Sequence, residues 1–257
     1  MTMPETFIWI YAAVVGLCVG SFLNVCISRW PEGLSVISPR SRCPDCGASI
    51  EWYDNVPVFS YLFLRGRCRA CGTRISPIYP VVELAVGLIW LAAAVRYGMT
   101  MEALRTAIFF TLLLGIAATD ARHYIIPDEF SIGGLVIGLL LSLAPGGITP
   151  VNSLLGAAAG FLVLYLTAEV GERVLKKPAM GGGDIKMIAM IGAFLGPVGA
   201  LLSIFLGALV GVIIFTPINL KTGRLVPFGI FLSVGAAVTD VWGSDLIVWY
   251  QARFLGM

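Results

Sequence analysis

Apolar residues run along most of this chain in long stretches separated by short polar breaks, a pattern that predicts helices crossing a membrane. The first stretch, residues 7–28, holds 22 residues without a charge. At 1.5 Å of helical rise per residue it spans a hydrocarbon core of about 30 Å. Further apolar stretches follow at about 81–97, 103–119, 130–144, 152–169, 185–196, 198–217 and 227–241, making eight candidate spans. The segment 185–217 is too long for one ordinary span, and Gly196-Pro197 is its natural break. The half before the break has about 12 residues, short for a full crossing, and reads as a partial or tilted element. Gly16, Gly20 and Ser21 put small residues at helical spacing on the first span, which predicts close packing of that face against another helix. Residues 243–257, with Trp249, Tyr250 and Phe254, read as an amphipathic tail lying at the interface.

Composition agrees with that pattern. Of 257 residues 58% are hydrophobic and 12% charged, and the mean hydropathy of +0.91 is too high for a soluble domain. No basic residue precedes the first apolar stretch, which is longer than a signal-peptide core and has no clear cleavage site, so it is expected to be a retained span. Nothing indicates a nucleic-acid partner; the partner implied is the lipid bilayer. The expected fold is an all-α polytopic membrane protein of about eight transmembrane helices.

One segment breaks the pattern. Between Arg29 and Tyr79 fall seven arginines, five prolines and four of the six cysteines. Cys43-Pro-Asp-Cys46 and Cys68-Arg-Ala-Cys71 are CxxC pairs with 21 residues between them, the arrangement of a four-cysteine zinc ribbon. Gly47 and Gly72, directly after each pair, suit tight turns. A pair of disulfides or four idle thiols is the competing reading. An insert of this size buries little core, so a metal held by Cys43, Cys46, Cys68 and Cys71 contributes directly to its folding. With four thiolates no coordination position is left open, so zinc there is structural. The chain divides accordingly into a first transmembrane helix (1–28), a zinc-binding module (29–80) and a transmembrane core (81–257).

Charge placement orients the spans. Alternating sides from the insert puts 14 of the 17 Lys and Arg residues on its face, Lys221 and Arg224 among them, and leaves Arg96, Arg105 and Arg253 on the other. By the positive-inside rule the insert is cytoplasmic and the N-terminus lies outside. A reducing cytoplasm keeps the thiols available for metal.

Acids are rare in the apolar stretches: Glu83, Asp120, Asp128 with Glu129, Glu169, Asp184 and Asp240. Carboxylates in such segments are costly and mark function or a paired partner. Asp120 closes the third span. Asp184 opens the sixth in Gly181-Gly182-Gly183-Asp184-Ile185-Lys186, where the competing reading is a helix cap on a flexible loop. An even number of crossings separates them, so both are expected at the cytoplasmic edge, where they can meet. Two carboxylates at a low-dielectric boundary share a proton; one serves as base on water while the other donates to a carbonyl. That is peptide-bond hydrolysis without a metal or a nucleophilic side chain. Asp128 is a rival partner, although Pro127-Asp128-Glu129 has the look of a helix start. The only histidine, His123, reads as a surface loop residue, and no HExxH, GxSxG or phosphate-cradling motif occurs. The alternative is an ion-coupled transporter whose paired acids bind protons or sodium.

Several of these segments together carry a resemblance. Gly20-Ser21-Phe22-Leu23-Asn24-Val25, Trp52-Tyr53-Asp54-Asn55-Val56-Pro57, Leu64-Arg65-Gly66-Arg67-Cys68, Ile75-Ser76-Pro77, Tyr79-Pro80, Asp120 with Ile126-Pro127-Asp128, and Gly181 to Lys186 match nearly the whole chain to one family. The chain resembles the bacterial type IV prepilin peptidases, the leader peptidase/N-methyltransferases of type IV pilus and type II secretion systems. The resemblance implies that Asp120 and Asp184 are the catalytic pair of a GxGD-type aspartic protease in the inner membrane, and that the four cysteines bind zinc. It implies prepilins and pseudopilins as substrates, cut on the cytoplasmic side after a glycine, and methylation of the new amine by S-adenosylmethionine. A methyl-donor site would lie between the insert and the spans, with Glu83 either a participant or a structural acid. The three glycines before Asp184 are expected to let its loop move toward Asp120, assembling the pair on substrate binding.

Overall fold

The computed structural model describes residues 5–177, 180–222 and 227–255. Arg224 lies outside them, and Lys221 is described by its backbone alone. The helices are α1 (Glu5–Arg29), a short α2 (Phe59–Phe63), α3 (Ile78–Tyr97), α4 (Met101–His123), α5 (Asp128–Leu141), α6 (Pro150–Leu175), α7 (Gly182–Thr222) and α8 (Phe228–Tyr250). Among the described residues there is no β-strand, only two isolated bridges in the insert. Among the described residues six helices are long and apolar enough to cross a membrane, α1, α3, α4, α6, α7 and α8, so the protein is a multi-pass, nearly all-helical membrane protein.

Local chemistry starts and stops these helices where the polar breaks fall. Thr149 caps α6, its hydroxyl accepting from the Asn152 amide at 3.3 Å, and Pro150 follows in the first turn, where its missing N–H costs nothing. Gly98 ends α3 with φ 65°, a left-handed conformation that glycine adopts without strain.

Two of the expected elements are defined further by the structure. The stretches 185–196 and 198–217 both lie in α7, whose helical backbone is interrupted at Gly196 (φ 75°, ψ −178°), the position of the expected break. The half before the break, expected as a partial or tilted element, is the most buried part of the helix. Residues 187–194 are buried on every side, with Met187, Ile188, Met190 and Ile191 at 0% exposure. A helix apolar all round is one enclosed by other helices, here with α5 against Met190 and Phe194 and α6 against Ile188 and Gly192. The tail expected from 243 is helical and continuous with α8, which runs through Gly243 to Tyr250 before a π-helical turn at Gln251–Leu255. No proline interrupts Trp242 to Tyr250, so the apolar helix continues.

The chain forms two compact units, 1–111 and 112–257. In the first, α1 packs on α3 through the small residues the sequence singled out. A methyl at Gly16 would meet the Gly87 backbone at 2.9 Å, and one at Gly20 would meet the Glu83 Cα at 2.7 Å. Contacts that close require glycine and let the two backbones approach. The second unit is centred on the first half of α7. Gly156 of α6 and Gly192 of α7 face each other so tightly that a methyl on either would collide with the other's carbonyl. Beside them Ser153 Oγ donates to the Ala193 carbonyl at 2.6 Å. These contacts fix the helix that carries Asp184.

Candidate active site

Within the second unit, Asp120 and Asp184 come together from distant points of the chain. Asp120 sits in the last turn of α4 and is 5% exposed. Its Oδ2 accepts the backbone N–H of Ile230 at 3.2 Å, and the Gly229 N–H also donates to the carboxylate. Both amides belong to the first turn of α8, where N–H groups have no partner within the helix and the helix dipole favours negative charge. Asp184 lies in the first turn of α7, and its carboxylate reaches back to the Gly181 amide. The cap-like role weighed from sequence is therefore present. It coexists with a second interaction, because Asp184 also feels the charge of Asp120. Among the described residues no hydrogen bond joins the two carboxylates directly.

Ile126 packs against the glycines beside both acids. It is 9% exposed, and a methyl at Gly183 would approach its Cβ at 3.0 Å, while one at Gly229 would approach its Cδ1 at 2.9 Å. At Gly229 the same methyl would lie 2.8 Å from Asp120 Oδ2. The glycines beside both acids thus give up their side chains to close backbone approach.

The other candidate groups fall outside this arrangement. Asp128 is 55% exposed at its side chain, and Lys186 Nζ donates to its two oxygens at 2.7 and 2.9 Å. The rival carboxylate is thus already held by a cation. His123 is exposed at the end of α4. Glu83 lies in the first unit, 9% exposed, with Oε2 accepting the Val58 amide at 2.7 Å.

In the first unit the insert brings its four cysteines together. Each CxxC pair sits on a knuckle closed by an antiparallel bridge, Arg42 with Ser49 and Arg67 with Arg74. The Cys43 amide donates to the Ala48 carbonyl at 2.9 Å and the Cys68 amide to the Thr73 carbonyl at 2.8 Å, one loop repeating the other. Gly47 and Gly72 turn each knuckle at φ 71° and 74°. Thr73 Oγ1 donates to Asp45, linking the knuckles, and Arg69 makes a two-pronged ion pair with Asp54 at 2.6 and 2.8 Å. The guanidinium holds the Asp54 carboxyl below the usual carboxylate range. All four sulfurs lie within 4.8 Å of one another, with Cys43 and Cys71 Sγ 3.8 Å apart. Tetrahedral thiolates about 2.3 Å from one ion would be about 3.8 Å apart, so the set can hold a metal. Backbone amides of Cys71 and Ala70 draw the Cys68 thiol down to about 7, while at Cys71 the Thr73 amide is outweighed by burial and the neighbouring thiols, which push it up to about 12, so the crowded set favours a thiolate at Cys68 over one at Cys71.

Asp120 and Asp184 were accessible from sequence as rare acids in apolar stretches. Gly229 and Ile230 were missed because they act through backbone amides. Pro227-Phe228-Gly229 before an apolar run was the available signal, a helix start with room for close approach.

The fold and these two groups of side chains define a multi-pass helical membrane protein with two acids gathered at helix ends and a four-thiol insert, and comparison with known proteins supplies its family. Residues 14–97 match the bacterial Peptidase A24 N-terminal domain, and residues 107–216 match the type IV leader peptidase family. The chain belongs to the type IV leader peptidase family. It is 42% identical over 223 residues to a prepilin leader peptidase/N-methyltransferase of Myxococcus xanthus (strain DK1622), a match covering 85% of this chain and 65% of that protein. Proteins of the same name from Pseudomonas putida and Bacillus subtilis (strain 168) are each 34% identical. Those matches cover 96% and 95% of this chain and 94% and 98% of the relatives. No solved structure matches the chain.

Proposed function

We propose that this protein removes the leader of type IV prepilins and pseudopilins at the Asp120–Asp184 pair and then methylates the new N-terminus. The observation carrying this reading is the pair itself, two acids from distant helices gathered where α7 and α8 begin. One carboxylate takes a proton from water as the water oxygen bonds to the scissile carbonyl carbon, and the other gives its proton to the carbonyl oxygen. As that tetrahedral centre collapses the C–N bond breaks, the departing nitrogen takes a proton from the acid that received the water's, and one hydroxyl of the centre returns its proton to the other carboxylate as the carbonyl re-forms. The amides of Gly229 and Ile230 hold the Asp120 carboxylate in place, and the two acids share the roles of base and acid between them.

The remaining assignments follow from this one. The four cysteines hold zinc, which as a closed tetrathiolate supplies folding energy to the insert and no open position for chemistry. Lys and Arg placement supports a cytoplasmic face for the insert and the acid pair, with the N-terminus periplasmic, in the bacterial inner membrane. Methyl transfer takes the methyl group of S-adenosylmethionine: the amine lone pair bonds the methyl carbon, the S–C electron pair stays on sulfur, and the amine loses a proton to water. The ion-coupled transporter is not supported. The break in α7 lies at Gly196, about 18 Å along the helix from Asp184 at 1.5 Å per residue, so the acids do not sit at a broken helix.

Coexpression of a prepilin with wild type, Asp120→Asn or Asp184→Asn tests the reading. Leader removal with the wild type alone is expected. Full processing by both variants, inserted at normal levels, refutes it.

A further inference from the structure

The insert carries an apolar face that is left uncovered among the described residues. It lies on the short helix α2, where Phe59, Leu62 and Phe63 are 69%, 66% and 80% exposed. Their i, i+3, i+4 spacing puts all three on one side of a helical turn. The opposite side belongs to the fold: a methyl at Gly66 would meet the Tyr61 hydroxyl at 2.9 Å, and Ser60 Oγ donates to the Tyr53 carbonyl at 2.9 Å while accepting the Val56 amide at 3.0 Å. Beyond α2 the Gly66 amide donates to the Tyr61 carbonyl and the Ile75 amide to the Gly66 carbonyl, each at 2.8 Å, which ties the end of the helix to the second knuckle. The exposed face is thus presented by an anchored element.

Its level along the spans is set by α3. Val58, directly before α2, donates its amide to Glu83 Oε2 at 2.7 Å, and Glu83 is the third residue of the apolar stretch 81–97. At 1.5 Å per residue α2 therefore begins about 3 Å past the point where α3 turns apolar. On α1 the same level is Gly20, where an added methyl would meet the Glu83 Cα at 2.7 Å. That is nine residues from the basic end of α1 at Arg29, about 13 Å along the helix. Around and beyond this level α3 exposes Val81, Leu84 and Leu88, side chains that a crossing helix gives to lipid. Charge is one-sided here. No Asp or Glu occurs from Asn55 to Val82, and the exposed Arg65 and Arg67 follow α2 directly.

We propose that α2 anchors the insert in the bilayer: Phe59, Leu62 and Phe63 enter the leaflet on the insert's side at the boundary of head groups and acyl chains, and Arg65 and Arg67 lie against anionic phospholipid head groups. An interfacial helix buries its apolar face about 5–10 Å into that boundary, the level at which the Val58–Glu83 bond holds α2. The four-cysteine insert is then held to the membrane at a third point besides its connections to α1 and α3. A second copy of the chain suits the face poorly, since pairing about a two-fold axis would set Arg65 and Arg67 beside their own copies.

The full chain reconstituted in vesicles of phosphatidylethanolamine and phosphatidylglycerol tests this, with a phospholipid carrying a photoreactive group at the top of its acyl chain and the labelled peptides mapped by mass. Label is expected on Phe59–Phe63 as well as around Leu88 of α3. Label around Leu88 with none on Phe59–Phe63 overturns the anchor. Phe59→Ser, Leu62→Ser and Phe63→Ser together should cut label on that segment at least about tenfold and leave label on α3 within about twofold, because the three side chains are worth far more in lipid than in the fold. Undiminished label on the segment overturns their role. With the reactive group moved to the head group, an anionic lipid should label Arg65–Arg67 about fivefold more than a zwitterionic one at equal amount, the scale of one arginine at an anionic surface. Equal labelling overturns the part given to the arginines. A photoreactive benzoylphenylalanine replacing Phe63 reads the contact from the protein side: an adduct with lipid supports the anchor, and an adduct with a second copy or with a bound prepilin in place of lipid overturns it.

Discussion

The placement of Asp120 is testable through a residue with no side chain. Changing Gly229→Ala adds a methyl 2.8 Å from Asp120 Oδ2 and 2.9 Å from Ile126 Cδ1, where ordinary contact begins at 3.4 Å. The carboxylate oxygen must therefore retreat by about 0.6 Å, the difference of those two distances. That movement takes it out of reach of the Ile230 amide, now at 3.2 Å. Both neighbours are side-chain ends, so the fold can absorb the change. Overpacking costs about 1–3 kcal/mol, offset in part by about 0.5–1 kcal/mol for replacing glycine within a helix. Catalysis is less tolerant, since a misplacement of about 1 Å costs about 10²-fold. The expectation is a loss of about 10- to 100-fold in kcat for leader cleavage, with a thermal unfolding curve close to wild type. Gly133→Ala is the matched control, because a methyl there meets nothing within 4 Å. Wild-type kcat in Gly229→Ala refutes the reasoning, as does an equal loss in Gly133→Ala.

Three other predictions follow from the same geometry. Asp128→Asn and Lys186→Ala break an exposed ion pair worth about 0–1 kcal/mol, so each should leave leader cleavage within about tenfold of wild type; abolition by Asp128→Asn while Asp120→Asn remains active would make Asp128 the partner of Asp184. Gly156→Val drives a branched side chain into the Gly192 carbonyl and should destabilise the second unit by about 3 kcal/mol or more, lowering its thermal midpoint and its yield in membranes. Chelation should release one zinc ion per chain and make the insert sensitive to protease while 112–257 keeps its resistance. Unchanged proteolysis of the insert after metal removal would contradict the zinc assignment.

Much of the site was legible because its chemistry is expensive in a membrane. Acids are rare in the apolar stretches, so Asp120 and Asp184 stood out, and the regular CxxC spacing named all four thiols. Glycine patterns were also informative: Gly196-Pro197 marked the break in α7, and Gly16 and Gly20 marked the face of α1 that meets α3. What escaped depends on tertiary placement. Ile126 is an ordinary apolar residue until Gly183 and Gly229 close on it. The amides of Gly229 and Ile230 have no side-chain signature, although they complete the environment of Asp120. The burial of residues 187–194 could not be told from a lipid-facing span, because both are apolar throughout and only the neighbouring helices decide between them. Gly243 reads as the start of a separate tail because it interrupts the pattern of hydrophobicity, although it does not interrupt the helix.

The central claim is that Asp120 and Asp184 together hydrolyse the leader bond. The most direct measurement incubates purified wild type, Asp120→Asn and Asp184→Asn with a prepilin peptide and labelled S-adenosylmethionine, beside a second peptide supplied already cut, and reads the products by mass. The account predicts that wild type releases a leader ending in glycine and methylates the new amine, while both variants leave the leader bond intact yet methylate the pre-cut peptide. Leader release by both variants at the wild-type rate would contradict it.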